Sequence, residues 1–423
     1  MRMTIRLARA SGLMMAVLIA GAACRPHMAP VPGDYLYVWA GDSARTASDF
    51  LAVVDASPTS ASYGSVVGAV PVGASGTRPH HTEADVAMNG HLLANGFHSG
   101  RTWLYDLTSP STPRILAEFG DRAGFSHPHS FVRMPDGSVL ATFQYAADPA
   151  AAGEHAQHAA MSGAGHFTGG IVQMQEDGTV IRSGRASDAS ILDRNLFPYA
   201  VLPVPSLDRA ISTTTDMDHA DTVSTSQWVQ LWRLSDLTLL KSIALPPGPR
   251  GDENQLTGEP RLLGDGRSAY IHTFNCGLYL VRGIEGSAPS ATFVMGFPGK
   301  NCGVPVLAGH YWIQPAPALH AILSLDISDP EHPRQVSSLD LGVEKPHWLA
   351  IDASGRRLAI NSAGATPGNR VYIATFDPAT GALALDERFR DAGDGRPGVR
   401  FAQRAWPQGF TGTAVPHGTV FSR

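Results

Sequence analysis

Pro346-His347-Trp348-Leu349-Ala350-Ile351 is an apolar run that begins at a Pro-His pair and ends before a turn at Ser354-Gly355. Residues 357–361, 371–377 and 382–389 follow as three further runs, the third run of the unit closing on Asp377. The unit recurs at Pro128-His129-Ser130-Phe131-Val132, with a turn at Asp136-Gly137 and a second run over 138–144. Other copies start near His80, Tyr199, Glu259 and Cys302. Short runs rich in Val, Ile, Leu, Tyr and Trp between turn clusters read as strands. Self-similarity then selects a propeller among the all-β folds.

The last start, Pro416-His417-Gly418-Thr419-Val420-Phe421, has no second strand after it. The complement lies near the other end, in residues 35–40, 50–55 and 64–72. Joining the two gives seven units and predicts an all-β, seven-bladed β-propeller closed by strands from both termini. Such closure pairs strand edges that would otherwise stay open. The six intervals from His81 to His417 average 56 residues, and the excess over common propeller repeats of about 40–50 sits in insertions at 146–169 and 390–415. Two packed sandwiches are the alternative, and the end-to-end complement argues against them.

Composition agrees with this reading. Gly and Pro together make about 18% of the 423 residues and charged residues 16%, too many breakers and too few charges for a helical repeat or coiled coil. The 43% hydrophobic content is enough to bury a core, which excludes a disordered chain. The lysines number three (Lys241, Lys300 and Lys345) and the net charge is −5, so no nucleic-acid partner is expected. No nucleophile elbow and no P-loop occur. The Gly393, Gly395, Gly398 match to a dinucleotide fingerprint has no flanking strand and helix and contains Pro397.

Residues 1–23 read as a signal peptide. Arg2, Arg6 and Arg9 precede an apolar stretch over 12–20, and Gly21-Ala22-Ala23 precede Cys24. Cys24 after small residues resembles a lipobox, although Gly21 stands where Leu is usual, so acylation of Cys24 and plain cleavage near Ala22 or Ala23 are both open. Removing the three arginines takes the net charge from −5 to −8. No other stretch approaches the ~20 apolar residues of a membrane span. The expected organisation is a leader over 1–23, a linker over 24–34 and one propeller domain over 35–423. The mature chain is expected to be exported, either periplasmic or lipid-anchored to the bacterial envelope. Cys276 and Cys302 remain. In an oxidising compartment they suggest a disulfide, two separate buried thiols being the alternative.

Seventeen histidines occur, and four of the seven unit starts carry them: His80-His81, His129, His347 and His417. The first strand of a blade lines the axial channel, so these side chains are expected to meet at one mouth. Converging neutral imidazoles suit copper, zinc or iron. His80, His81, His129, His347 and His417 are therefore the candidate metal ligands. Other histidines carry weaker signals. His127 reads as a loop or supporting residue, and His98 and His272 read as strand-turn residues. His155, His158 and His166 lie in an Ala/Gly-rich insertion. The acidic stretch from Asp216 to Asp221 lacks the glycine and distal glutamate of a calcium loop.

Several segments resemble the selenium-binding protein / methanethiol oxidase family. Asp49-Phe50-Leu51-Ala52-Val53-Val54-Asp55, then Tyr63-Gly64-Ser65-Val66-Val67, then Pro79-His80-His81 follow the order of that family's opening. His129 with Gly137-Ser138-Val139 is similar to its second histidine strand, and Glu259-Pro260-Arg261-Leu262 and residues 326–333 resemble two later segments. The resemblance implies a seven-bladed propeller with a histidine-bound metal, copper in the first place. It also implies oxidation of a small thiol, which in some members converts methanethiol, oxygen and water to formaldehyde, hydrogen sulfide and hydrogen peroxide. His80, His81 and His129 match family histidines by position, whereas His347 and His417 are placed by the repeat. Thr82-Glu83-Ala84-Asp85-Val86-Ala87 contains no cysteine where the family often has several, and Val132 stands where some members have a further histidine. The function expected is thus an exported, copper-dependent oxidase of small thiols, the alternative being a non-catalytic propeller used as a binding platform. A calcium-dependent propeller lactonase needs axial Asp and Asn, which the unit starts mostly lack.

Overall fold

Two-sided burial organises the molecule. In the strand Tyr35–Asp42, Leu36, Val38 and Ala40 face one neighbouring blade while Tyr37 and Trp39 face the other. Successive side chains of a strand point to opposite faces, so a blade packed on both sides needs apolar residues at every position. That is why these strands read as continuous apolar runs.

The structure, a computed structural model, describes residues 34–423 except 148–166, 192–195, 218–225 and 363–367. The leader, Cys24, His155, His158, His166 and His219 lie outside the described residues, as does most of the linker. Seven antiparallel sheets follow one another around the ring. Their innermost strands are Ala414–Phe421, Pro79–Thr82, Phe125–Arg133, Pro198–Val204, Thr257–Leu262, Val306–Ala308 and Pro346–Ile351, named here blades 1 to 7. Blade 1 is built as expected from both chain ends: Ala414–Phe421 pairs with Tyr35–Asp42, with Leu36 opposite Phe421 and Tyr37 opposite Val420. Phe50–Asp55 and Val66–Pro71 complete that blade.

Among the described residues, each of the seven junctions between blades holds an apolar cluster. Trp103 and Tyr105 of blade 2 meet Tyr37 and Trp39 of blade 1, and Ala359 and Ile373 of blade 7 meet Leu36 and Val54 on the far side of blade 1. An open array of seven blades has six junctions; the seventh closes the ring. The insertion over 390–415 adds Val399–Arg400 to the edge of Arg370–Phe376 and a small hairpin, Arg404–Ala405 with Thr411–Gly412. Its Trp406 packs on Phe50, with ring centroids 4.6 Å apart.

Cys276 and Cys302 form a disulfide joining blade 5 to the loop that enters blade 6. That loop presses on the channel: a Cβ on Gly303 would stand 2.1 Å from the His347 carbonyl oxygen, and Val304 N–H donates to the same oxygen. No helix among the described residues is long and apolar enough to cross a membrane.

Candidate metal centre at the channel mouth

Each inner strand has one sheet neighbour, and its other edge faces the channel. Proline, lacking an N–H, is suited to the start of such a strand. Pro79, Pro128, Pro198, Pro346 and Pro416 directly precede His80, His129, Tyr199, His347 and His417. At each of these sites the pairing register slips. The slips fall between Pro79 and Thr82, Pro128 and Phe131, Pro198 and Val201, Pro346 and Trp348, and opposite Val38/Ala40 in blade 1. Blade 5 has the same irregularity around Gly258-Glu259. A β-bulge re-aims a side chain, and here the bulges gather imidazoles, a phenol and a carboxylate at one mouth. Blade 6 has neither a bulge nor a polar side chain in its short inner strand.

A side chain on the second strand of the blade holds several of these bulges. Asn95 Oδ1 accepts from His81 N–H (2.6 Å), and its amide donates to the carbonyls of Pro128 (2.7 Å) and His129 (3.2 Å) in the next blade. Thr142 accepts from Ser130 N–H and donates to the Tyr199 carbonyl (2.7 Å). Thr213 accepts from Ala200 N–H, and Asn361 donates to the His417 carbonyl. His272 has the same role in blade 5. Its Nδ1 accepts from Glu259 N–H at 3.0 Å, so it is a strand residue that clips a bulge.

His80, His81 and His129 are buried, and one ring nitrogen from each lies within 4.8 Å of the others. His129 Nδ1–H donates to the Tyr199 carbonyl (2.7 Å), which leaves the Nε2 lone pair free. Nε2 of His129 and Nε2 of His80 have no hydrogen-bond partner among the described residues. His81 Nε2 lies 3.2 Å from the Tyr199 hydroxyl and its Nδ1 3.8 Å from Glu259 Oε1, while Glu259 is held by Arg261 at 3.0 Å.

His417 packs on His80 with ring centroids 4.3 Å apart, and its Nδ1–H donates to the His80 carbonyl (2.8 Å). His347 lies beyond it, 5.0 Å from the His417 ring and stacked on Phe274. The five candidate ligands are therefore neighbours, with three in a tight group and two partly exposed beside it. His127 points elsewhere, with its ring against Tyr145 and Phe97, and His98 is exposed in a turn. Asp216 accepts a hydrogen bond from the Tyr145 hydroxyl.

Burial, the first cause, holds these imidazoles neutral. It lowers the pKa of His129 to about 3 and that of His347 to about 4. His80, His81 and His417 lie well below the ordinary histidine value, through burial first and then through the neighbouring imidazoles, His129 and His347 among them. Neutral imidazole is the form that binds a metal, and unpaired buried ring nitrogens are costly unless something accepts their lone pairs. The residues present fit a transition metal. Above them opens a cavity of about 570 Å³, lined among others by His80, Tyr199, His347, His417, Phe274 and Arg78.

In the sequence Tyr199 stands out only as a unit start, whereas Glu259 also belongs to a segment, with Arg261, that resembles the family and suits a supporting role beside the histidines. The signal that singles out Tyr199 is its place directly after a proline, the position that holds histidine in four other blades.

No known family model matches the chain. A methanethiol oxidase of Hyphomicrobium sp. is 31% identical over 111 residues, covering 24% of this chain and 24% of that relative, so the match spans about a quarter of the relative's length. A hypothetical selenium-binding protein from Sulfolobus tokodaii superposes with a TM-score of 0.68 at 17% identity, covering 93% of this chain and 94% of the other. The periplasmic gluconolactonase of Pseudomonas aeruginosa superposes with a TM-score of 0.58 at 12% identity, covering 92% and 99%. At such identities the two structures speak for the propeller fold alone. With its histidine strands and the methanethiol oxidase match, this seven-bladed propeller resembles the selenium-binding protein / methanethiol oxidase family.

Proposed function

We propose that the protein is an exported, metal-dependent oxidase of small thiols, with copper held by His80, His81 and His129 and with His347 and His417 completing the mouth of the site. The observation that carries the reading is the buried imidazole group whose Nε2 atoms on His80 and His129 lack any partner among the described residues. A copper ion supplies a soft acceptor for a thiolate and a one-electron couple to oxygen.

The chain's own residues do the rest. The Tyr199 carbonyl fixes His129 in its Nδ1–H tautomer, and the His80 carbonyl does the same for His417. A ligand's other ring nitrogen, bonded in this way, sets both its orientation and its basicity. Phe97, against His80 and His129, and Trp348, against His81, pack apolar rings on the imidazoles and keep water from them. The cavity gives a small thiol access to this group. The Cys276–Cys302 disulfide supports the exported part of the proposal, since disulfides persist in oxidising compartments. Mass analysis of the mature N-terminus separates acylated Cys24 from simple cleavage.

The test is oxygen uptake by the copper-loaded protein on addition of methanethiol, with hydrogen sulfide and peroxide assayed as products. Uptake that disappears in His129→Ala supports the proposal. A copper-loaded protein that consumes no oxygen with methanethiol or other small thiols refutes it.

A further inference from the structure

We propose that Tyr199 is a donor group of the metal centre, its phenol oxygen taking a position beside His81. The inference rests on the metal-centre reading above and adds an oxygen to a site otherwise made of nitrogens.

Position is the first argument. Tyr199 stands in the inner-strand bulge of blade 4, directly after Pro198, as His80, His129, His347 and His417 stand after their prolines. The device that aims four imidazoles into the mouth aims this phenol there too. The ring is fully buried, with its centroid 4.2 Å from that of His129 and 5.5 Å from that of His81.

Hydrogen bonding is the second. The Tyr199 hydroxyl lies 3.2 Å from His81 Nε2, its sole hydrogen-bond partner among the described residues. At the other ring nitrogen of His81 stands a Glu259 carboxylate oxygen, 3.8 Å away. An ionised carboxylate only accepts, so it favours the tautomer with the proton on Nδ1. Nε2 then carries a lone pair, and the phenol O–H donates to it. A metal ion bound through that lone pair displaces the phenol proton from it.

Spacing is the third. Donor atoms about 2.0–2.1 Å from an ion stand about 2.9 Å from one another at the right angles of a square site and about 3.3 Å in a tetrahedral one. The Tyr199 oxygen and His81 Nε2 already stand within that range, whereas the triad's nitrogens span up to 4.8 Å and must draw together. His417 approaches from the other side, 4.3 Å from the His80 ring but 6.3 Å from His81, so it does not compete for this place. In the balanced step the O–H bond breaks and an oxygen–metal bond forms. The proton leaves to solvent through the cavity that Tyr199 lines, and no electron is transferred.

The experiment loads the purified full chain with copper(II) alone and records its visible absorption and copper content. Phenolate bound to copper(II) gives an intense charge-transfer band. The expected result is such a band in the wild type and its loss in Tyr199→Phe, which keeps its copper with affinity reduced on the order of 10-fold. Bound copper that shows only weak ligand-field absorption, unchanged in Tyr199→Phe, overturns the inference and leaves the histidine centre standing. A wild type that binds no copper overturns both. Because the wild-type spectrum decides the question, the test survives a variant that folds poorly.

Discussion

Gly418→Ala places one methyl group where two inner strands touch. A Cβ at Gly418 would lie 2.6 Å from Thr82 N and 2.8 Å from the His80 carbonyl oxygen, where ordinary contact begins near 3.4 Å. Both neighbours are backbone atoms of blade 2, so neither can turn aside, and the strands must part by ~0.8 Å. Overpacking of this kind costs about 1–3 kcal/mol, and rigid backbone on both contacts points to the upper half of that range. An unfolding entropy of about 2.1 cal/mol/K per residue, over the ~350 described residues, converts 2–3 kcal/mol into a fall in Tm of about 3 °C. The separation also pulls the His417 ring away from the His80 carbonyl it bonds to, and moves His80 relative to His81 and His129. Copper affinity is expected to fall on the order of 10-fold, the usual cost of losing a ligand's supporting contact. Calorimetry measures the first effect and competition with a chelator the second. A variant with unchanged Tm and unchanged affinity would show that the two strands do not approach as described.

Acid is expected to destabilise the apoprotein early. His129 and His272 titrate near 3 and His347 near 4 in the fold, against an ordinary 6.5. The unfolded chain therefore binds protons that the fold refuses. Their contribution is complete above about pH 6.5 and is lost as pH falls toward 3–4, at about 1.4 kcal/mol per pH unit for each group. Urea midpoints should drop steeply between pH 6.5 and 4.5, and a flat profile there contradicts buried neutral imidazoles. The Cys276→Ala/Cys302→Ala double variant opens a loop with a sequence separation of 26 and should lose about 3 kcal/mol, read from denaturant unfolding; no loss means that the loop is held by its packing alone. Deleting residues 414–423 removes the inner strand of blade 1, with buried Val420 and Phe421. The truncated chain should fail to give a cooperative transition, and a native-like transition would refute closure by both termini.

Closure was legible because residues 416–421 start a unit that the chain does not continue, while residues 35–72 supply strands that lack a first member. The histidine group was legible for a related reason: the repeat places His80, His129, His347 and His417 at one offset, and one offset in a propeller is one place in space. Tyr199 is hard to see in the sequence because Pro-Tyr-Ala-Val-Leu reads as an ordinary apolar strand; only alignment on the preceding proline gives it away. The bulge-holding residues Asn95, Thr142, Thr213, His272 and Asn361 were not legible at all. Their role depends on cross-strand register and, for Asn95, Thr142 and Asn361, on reaching into the next blade, neither of which local spacing encodes. His272 shows the point: in isolation it reads as a strand-turn residue, whereas in the fold it accepts the Glu259 N–H.

The central claim, that the converged imidazoles hold a metal, is tested most directly by metal content. The full chain is loaded with copper, desalted and analysed beside His129→Ala, with circular dichroism to confirm that both are folded. The account predicts about one tightly held copper per wild-type chain, consistent with the single His80, His81 and His129 group among the described residues, and its loss in the variant. A folded wild type that retains no metal, or a variant that retains as much as the wild type, contradicts it.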